Sequence, residues 1–229
     1  MVRKRLLSAD RRALILEAAI RVFAEHGFDG AKTHRIAAEA QVSEALIFRH
    51  FPSKETLYRS VLRKLIRDQN EAFKAVGELS PDAAGLITMM RNYFGNCLRG
   101  SLTPNPNAIR ILYASLAGDG TYARLTYRRS LRLSLPSLID ALAGARAAGD
   151  LVGAPIDPIN IVAMLEHLGS NVTVARMREP HLVQYAGTED QLLEQMILFC
   201  GRGIGLREEV IQAHLGADAA LSLRAVGTK

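Results

Sequence analysis

The sequence predicts an all-α protein. Apolar residues recur at helical spacing along almost the whole chain, as they do where each helix buries one face. Alternating apolar and polar runs bounded by turns, the mark of half-buried strands, are missing. Breaks at 27–30, around Pro52, and at 77–81, 100–107, 118–120, 149–158 and 179–188 divide the pattern into roughly nine helices.

The first helix is expected over about 9–26. Ser8 or Asp10 can accept its orphan N–H groups, and its apolar stripe is Ile15, Ala18, Ala19, Val22 and Phe23. Gly27 suits the left-handed position after a helix end, and Phe28 can fold back onto the last turn. Thr33 is expected to cap a short helix over 33–40, with Ile36, Ala37 and Ala40 inward. After the turn Gln41-Val42-Ser43, Ser43 caps another short helix that Pro52 stops. Ser53 caps a fourth, running from Lys54 to about Val76.

Further helices are expected near 82–98, 107–117, 122–148, 158–177 and 188–206, with a short one near 208–215. Pro136 lies inside the longest and should kink or break it, because it lacks an N–H and its ring crowds the preceding turn.

Composition narrows the class. The chain has 229 residues, 48% hydrophobic and 23% charged, which suits a globular protein with a sizeable core. Cys97 and Cys200 are far apart, in no metal or redox spacing, and read as buried thiols. No run approaches the ~18 apolar residues of a membrane span. The basic N-terminus lacks the apolar segment and cleavage site of a signal peptide, so a cytoplasmic location is expected. Six histidines form no HExxH motif or metal cluster, and no GxSxG, phosphate loop or dinucleotide fingerprint occurs. The expectation is therefore a non-enzyme without metal or cofactor.

Charge is unevenly placed. Residues 1–75 hold 15 Lys and Arg against 9 Asp and Glu, while the rest of the chain has 14 of each. Every lysine but Lys229 falls in that first part. A basic segment on a neutral body suits a polyanion-binding module, although a solvated basic face accounts for the charge equally well.

Two short helices separated by a three-residue turn and braced by a longer one form a helix-turn-helix. Val42, Leu46 or Ile47, and Phe51 can anchor the second short helix inward, which leaves Ser43, Glu44, Ala45, Phe48, Arg49 and His50 outward or sideways. Lys54, at a helix N-terminus, opposes the helix dipole and makes sense beside a phosphate.

The stretch THRIAAEAQVSEALIFRHFPSKETLYRSVL, residues 33–62, resembles the DNA-binding signature of the tetracycline-repressor (TetR) family of bacterial regulators. The preceding RRALILEAAIRVFAEHGFDGAKT resembles that family's first helix and turn. The resemblance implies a homodimer on double-stranded DNA, with an N-terminal reading head and a C-terminal helical body for ligand and dimer contacts. It also implies repression relieved by a small molecule. It assigns Thr33 to phosphate, Ser43 to the start of the recognition helix, Glu44, Ala45 and Leu46 to base edges, and Phe48, Arg49 and His50 to backbone or bases. Lys54 matches the family's phosphate-binding lysine, and His34 joins the set beside Thr33.

Three residues depart from the family pattern. Glu44 stands where lysine or a small polar residue is usual, and can accept from cytosine N4 or repel DNA. Phe48 replaces a tyrosine and its phosphate bond. Gln41 replaces a glycine in the turn, which implies a small positive-φ penalty or another geometry.

The expected division is a reading head over 1–55, a connecting helix over 56–80, and a ligand and dimer body over 81–229. The helices near 158–177 and 188–206 carry apolar stripes wider than one core needs. Leu165, Leu168, Gly169, Val172, Met196, Phe199, Cys200 and Gly203 are the candidate dimer residues, a central helix of a monomer being the alternative. Met89, Met90, Tyr93, Phe94, Cys97, Leu112, Tyr113, Leu116 and Leu138 are candidates to line a pocket for a largely apolar or aromatic effector, or plain core. His167 and Asn171, four residues apart, are polar handles there or hydrogen-bond across an interface. A DNA-coating or division-control protein with the same head is the remaining alternative.

Overall fold

The computed structural model describes residues 8–74, 79–101 and 105–215. Nine named helices follow one another: α1 (Ser8–Gly30), α2 (Thr33–Glu39), α3 (Glu44–His50), α4 (Lys54–Lys74), α5 (Ala83–Leu98), α6 (Asn107–Ala117), α7 (Thr121–Ala147), α8 (Pro158–Arg176) and α9 (Glu189–Gly203). A last helical stretch covers 208–215. Among the described residues no strand forms, and the one isolated bridge pairs Leu151 with Leu206. The all-α class is as the apolar spacing predicts.

Local chemistry sets most helix starts. Asp82 accepts from Gly85 N–H at 2.9 Å, and Asp157 accepts from Ile159 N–H at 2.8 Å with Pro158 next to it in the first turn. Thr188 and Gln191 form a reciprocal capping box at α9. The helix ends differ in detail from the expectations. The N-cap of α2 is Lys32, with no side-chain bond, and Thr33 is already in the helix. The first helical run is interrupted at Gly27, whose φ of 65° is the positive value expected after a helix end near His26, and helical turns resume up to Gly30. Pro136 does not break α7. It and Arg132, four residues earlier, are both exposed, so the carbonyl it leaves unpaired can face water.

The described residues fall into two compact units. The first holds α1–α4, α6 and α7 as far as Thr126. The helix over 107–117, grouped by sequence order with the C-terminal body, packs on α1. This unit's core is built from Ile15, Ile20, Phe23, Ile36, Ile47, Phe51, Leu57, Leu62 and Leu65, all fully or almost fully buried. Each Leu-sized burial contributes ~1.5–3 kcal/mol. The buried hydroxyl of Ser115 accepts from Tyr122 N–H at 2.9 Å and Ala123 N–H at 3.2 Å, so the end of α6 caps the start of α7.

Tyr58 packs edge-on against Phe23, with ring centroids 4.8 Å apart, and beside Phe28 at 5.0 Å. Burial, and secondarily the Asp119 carboxylate, push its phenol up to about 12. The fold thus favours neutral Tyr58. Its contribution is complete below the ordinary tyrosine value near 10 and disappears as pH rises through about 12. Urea midpoints measured from pH 8 upward are expected to fall over that window, and to fall less in Tyr58→Phe.

The second unit holds α5, α7 from Tyr127, α8, α9 and the helical stretch at 208–215. Both α8 and α9 pack on α5. Its core includes Leu86, Met90, Phe94, Leu138, Ile161, Val172, Met196, Ile197 and Ile211. Cys97 and Cys200 are free and buried, and burial pushes their thiols up to about 12 and about 11.

Candidate nucleic-acid interface

The second short helix of the helix-turn-helix presents the face that the sequence assigns to DNA. Ile47 and Phe51 are buried and tie α3 to the core. Ser43, Glu44, Ala45, Phe48 and Arg49 are exposed, while Leu46 and His50 are half-buried. Phe48 is 45% exposed, an apolar ring left in water one residue from the buried Ile47. Ser43 Oγ accepts from Leu46 N–H at 3.2 Å, which fixes the start of α3. Gln41, in the turn between the short helices, has φ 53°, so the turn adopts the left-handed conformation that favours glycine.

Neighbouring elements supply the other predicted residues. Thr33 is half-buried and His34 exposed in the first turn of α2. Lys54 sits in the first turn of α4, where Ser53 Oγ accepts from Thr56 N–H at 3.2 Å. Its ammonium lies 4.6 Å over the Phe28 ring and donates to the Asp29 carbonyl at 3.4 Å. A flexible lysine is thereby held at a helix N-terminus, where the backbone already favours an anion. Sequence reasoning missed Phe28 in this role; its signal was only an aromatic beside the glycine turn.

The candidate ligand residues do not gather into one cluster. Met90, Phe94, Cys97 and Leu138 are buried in the second unit's core, with Met89 and Tyr93 packed against it. Leu112, Tyr113 and Leu116 belong to α6 in the first unit, where Leu112 is buried and Leu116 is 47% exposed. His167 and Asn171 are exposed on α8, and Asn171 donates to the His167 carbonyl at 2.8 Å. The His167 ring meets the Tyr127 ring edge-on at 5.5 Å.

A polar residue absent from the sequence prediction stands beside them. The Glu166 carboxylate accepts from Tyr93 OH at 3.1 Å and from Ser130 Oγ at 2.7 Å. Burial first, and the Glu166 charge second, push the Tyr93 phenol well above its usual range. A glutamate interrupting the apolar stripe of α8 was the available signal. Elsewhere in this unit, a surface groove of about 440 Å³ is lined by Val152, Leu206, Arg202 and Glu208, and by none of the candidate ligand residues.

The candidate dimer residues divide by burial. Gly169, Val172, Met196 and Cys200 are buried within one chain. A Cβ at Gly169 would clash with Tyr93 and with Cys97 Sγ, so the close approach this glycine permits is intramolecular. Leu165 and Leu168 are half-buried, while Phe199 and Gly203 are exposed.

Among the described residues no helix is long and apolar enough to cross a membrane, and no three His, Cys, Asp or Glu side chains group to hold a metal.

An exposed second helix on a helix-turn-helix, followed by a larger helical body, is the architecture of a DNA-binding regulator. The sequence profile of bacterial regulatory proteins of the tetR family matches residues 15–61. The chain is 31% identical over 163 residues to the HTH-type transcriptional regulator RutR of Escherichia coli K12, spanning 71% of this chain and 73% of RutR. The chain belongs to the tetR family. It is also 38% identical over 82 residues to the HTH-type transcriptional repressor AcnR of Corynebacterium diphtheriae, covering 36% of this chain and 39% of AcnR. Among solved structures, a TetR-like regulator from Rhodococcus sp. RHA1 superposes with TM-score 0.59 at 20% identity, covering 87% of this chain and 98% of that one. AibR, solved with isovaleryl coenzyme A and operator DNA, gives TM-score 0.62 at 20% identity, covering 82% and 97%.

Proposed function

We propose that this regulator is a homodimeric repressor that binds a palindromic operator and leaves it when a small, largely apolar or aromatic effector binds. The observation that carries the reading is the outward face of α3, with Glu44, Ala45, Phe48 and Arg49 uncovered while Ile47 and Phe51 anchor the helix. In this reading residues 1–55 read DNA, 56–80 connect, and the body from 81 on, apart from α6 and the start of α7 that fold with the first unit, pairs the subunits and holds the effector. Leu46 joins Glu44 and Ala45 at base edges, Ser43 starts the helix, Phe48, Arg49 and His50 meet backbone or bases, and Thr33, His34 and Lys54 meet backbone.

Two observations support pairing. Met164 on α8 is 61% exposed and Phe199 on α9 is 73% exposed, so both helices leave large apolar side chains in water after their inner faces are filled. Two recognition helices about 34 Å apart also read a palindrome that one head reads weakly. The effector acts to the extent that it prefers one separation of the two heads over the other. AibR shows that a chain of this fold has been captured with both a small ligand and its operator.

The reading is tested by mapping genomic sites of the purified protein with and without metabolite extracts, and by sedimentation. Discrete palindromes, lost with some extract, and a dimer in solution are expected. A monomer that ignores duplex DNA in dilute buffer overturns it. Within that assay, Lys54→Ala is expected to weaken all duplexes alike and reduce the salt slope by about one unit for each bound head. Glu44→Ala is expected to shift base preference at one position by about 1–3 kcal/mol. Equal loss on all sequences for both variants removes Glu44 from the groove.

A further inference from the structure

Arg12 lies on α1, outside the helix-turn-helix, yet its guanidinium carbon sits 4.9 Å over the centroid of the Phe51 ring. Phe51 is the C-cap of α3; it is buried, and its N–H donates to Ile47 O at 2.8 Å. The cation is therefore held at the carboxyl end of α3, the end that also carries Arg49 and His50.

Two other cations of this unit stand in ion pairs. Arg21 bonds Glu39 at 2.6 Å, and Lys64 pairs with Asp68 at 2.6 Å and Glu17 at 3.2 Å. Among the described residues no carboxylate pairs with Arg12, and the residue is exposed. An arginine on an aromatic face gives up hydration on one side of its plane, while the N–H groups along its edge remain free. That edge matches two phosphate oxygens, and the ring reduces the rotamer freedom lost in meeting them.

We propose that Arg12 is a further contact to the DNA backbone, its guanidinium edge meeting a phosphate beside the carboxyl end of α3, with Phe51 as the residue that positions it. This rests on the reading of α3 as the DNA-facing helix.

The test is fluorescence anisotropy of the full chain on a mixed-sequence duplex, with salt varied between about 50 and 200 mM. Loss of one phosphate contact makes the slope of log K against log salt shallower by about 0.9 and weakens binding about eightfold at 0.1 M salt, so the proposed dimer, bound by both heads, loses about 1.8 in slope. Arg12→Gln is expected to show both changes. Arg12→Met, which keeps an apolar contact with the ring but drops the charge, is expected to show them too and serves if the glutamine variant does not fold. Arg12→Lys is expected to retain the wild-type slope. A wild-type slope in folded Arg12→Gln or Arg12→Met overturns the proposal, whether or not melting temperature falls, since packing alone then accounts for the residue. If the unmodified protein ignores the duplex, the reading of α3 itself fails, an outcome separate from either result with the variants.

Discussion

Gly144→Ala is expected to lower stability by about 3 kcal/mol, at the upper end of what overpacking usually costs. Gly144 lies on α7, and a Cβ there would fall inside the van der Waals envelope of the Pro81 carbonyl oxygen. That atom belongs to backbone just before Asp82, whose carboxylate caps α5. Relief requires moving a chain segment, because no side chain can rotate away. The measurement is a urea titration, with a lower midpoint and unchanged slope expected. Gly30→Ala is the comparison: its Cβ would sit 3.4 Å from His26 Cβ, an ordinary contact. If the two variants unfold at the same midpoint, α7 does not approach Pro81 as described.

Phe199→Glu is expected to dissociate the proposed dimer. The ring is 73% exposed on α9, so its replacement should leave the fold of one chain intact. In a two-fold interface the same residue occurs twice. A central aromatic contributes about 2 kcal/mol or more when removed, so two copies raise the dissociation constant on the order of a thousandfold. Sedimentation over a concentration series checks this, with circular dichroism confirming that the helices remain. Operator affinity should fall with the dimer population. A variant that stays dimeric places the interface elsewhere.

The reading head was legible because its signals are local. Ser43 and Ser53 cap where their position before a helical run says they should, and Pro52 ends α3. Spacing narrowed the inward residues of α3 to Val42, Leu46 or Ile47, and Phe51; the structure buries Ile47 and Phe51 and leaves Val42 and Leu46 half-buried. Gln41 shows the positive φ that a usual glycine position implies. Thr33 was misassigned by one position because Lys32, which has no capping oxygen in its side chain, occupies the cap. Helix-end identity is decided by φ and ψ, and composition only biases it.

Pairings between distant segments were not legible. The apolar residues of α6 look like those of α5, and sequence order groups the two helices. The structure packs α6 on α1, nearly a hundred positions earlier in the chain. Gly169 was read as making room for another subunit, yet Tyr93 and Cys97 fill the space beside it. A small residue announces a close approach without naming what approaches. Arg12 and Glu166 were passed over for the opposite reason. A charged side chain in a helix usually faces water, and only the fold brings Phe51 under the first and Tyr93 and Ser130 onto the second.

The inward and outward residues of α8 and α9 are different residues, and that separation has an evolutionary consequence. Val172, Met196 and Cys200 hold one chain together, while Met164 and Phe199 take no part in that work. In the proposed dimer, a few outward substitutions after gene duplication would change which chains associate without threatening folding. Sister regulators in one cell can then avoid forming mixed assemblies and keep separate targets.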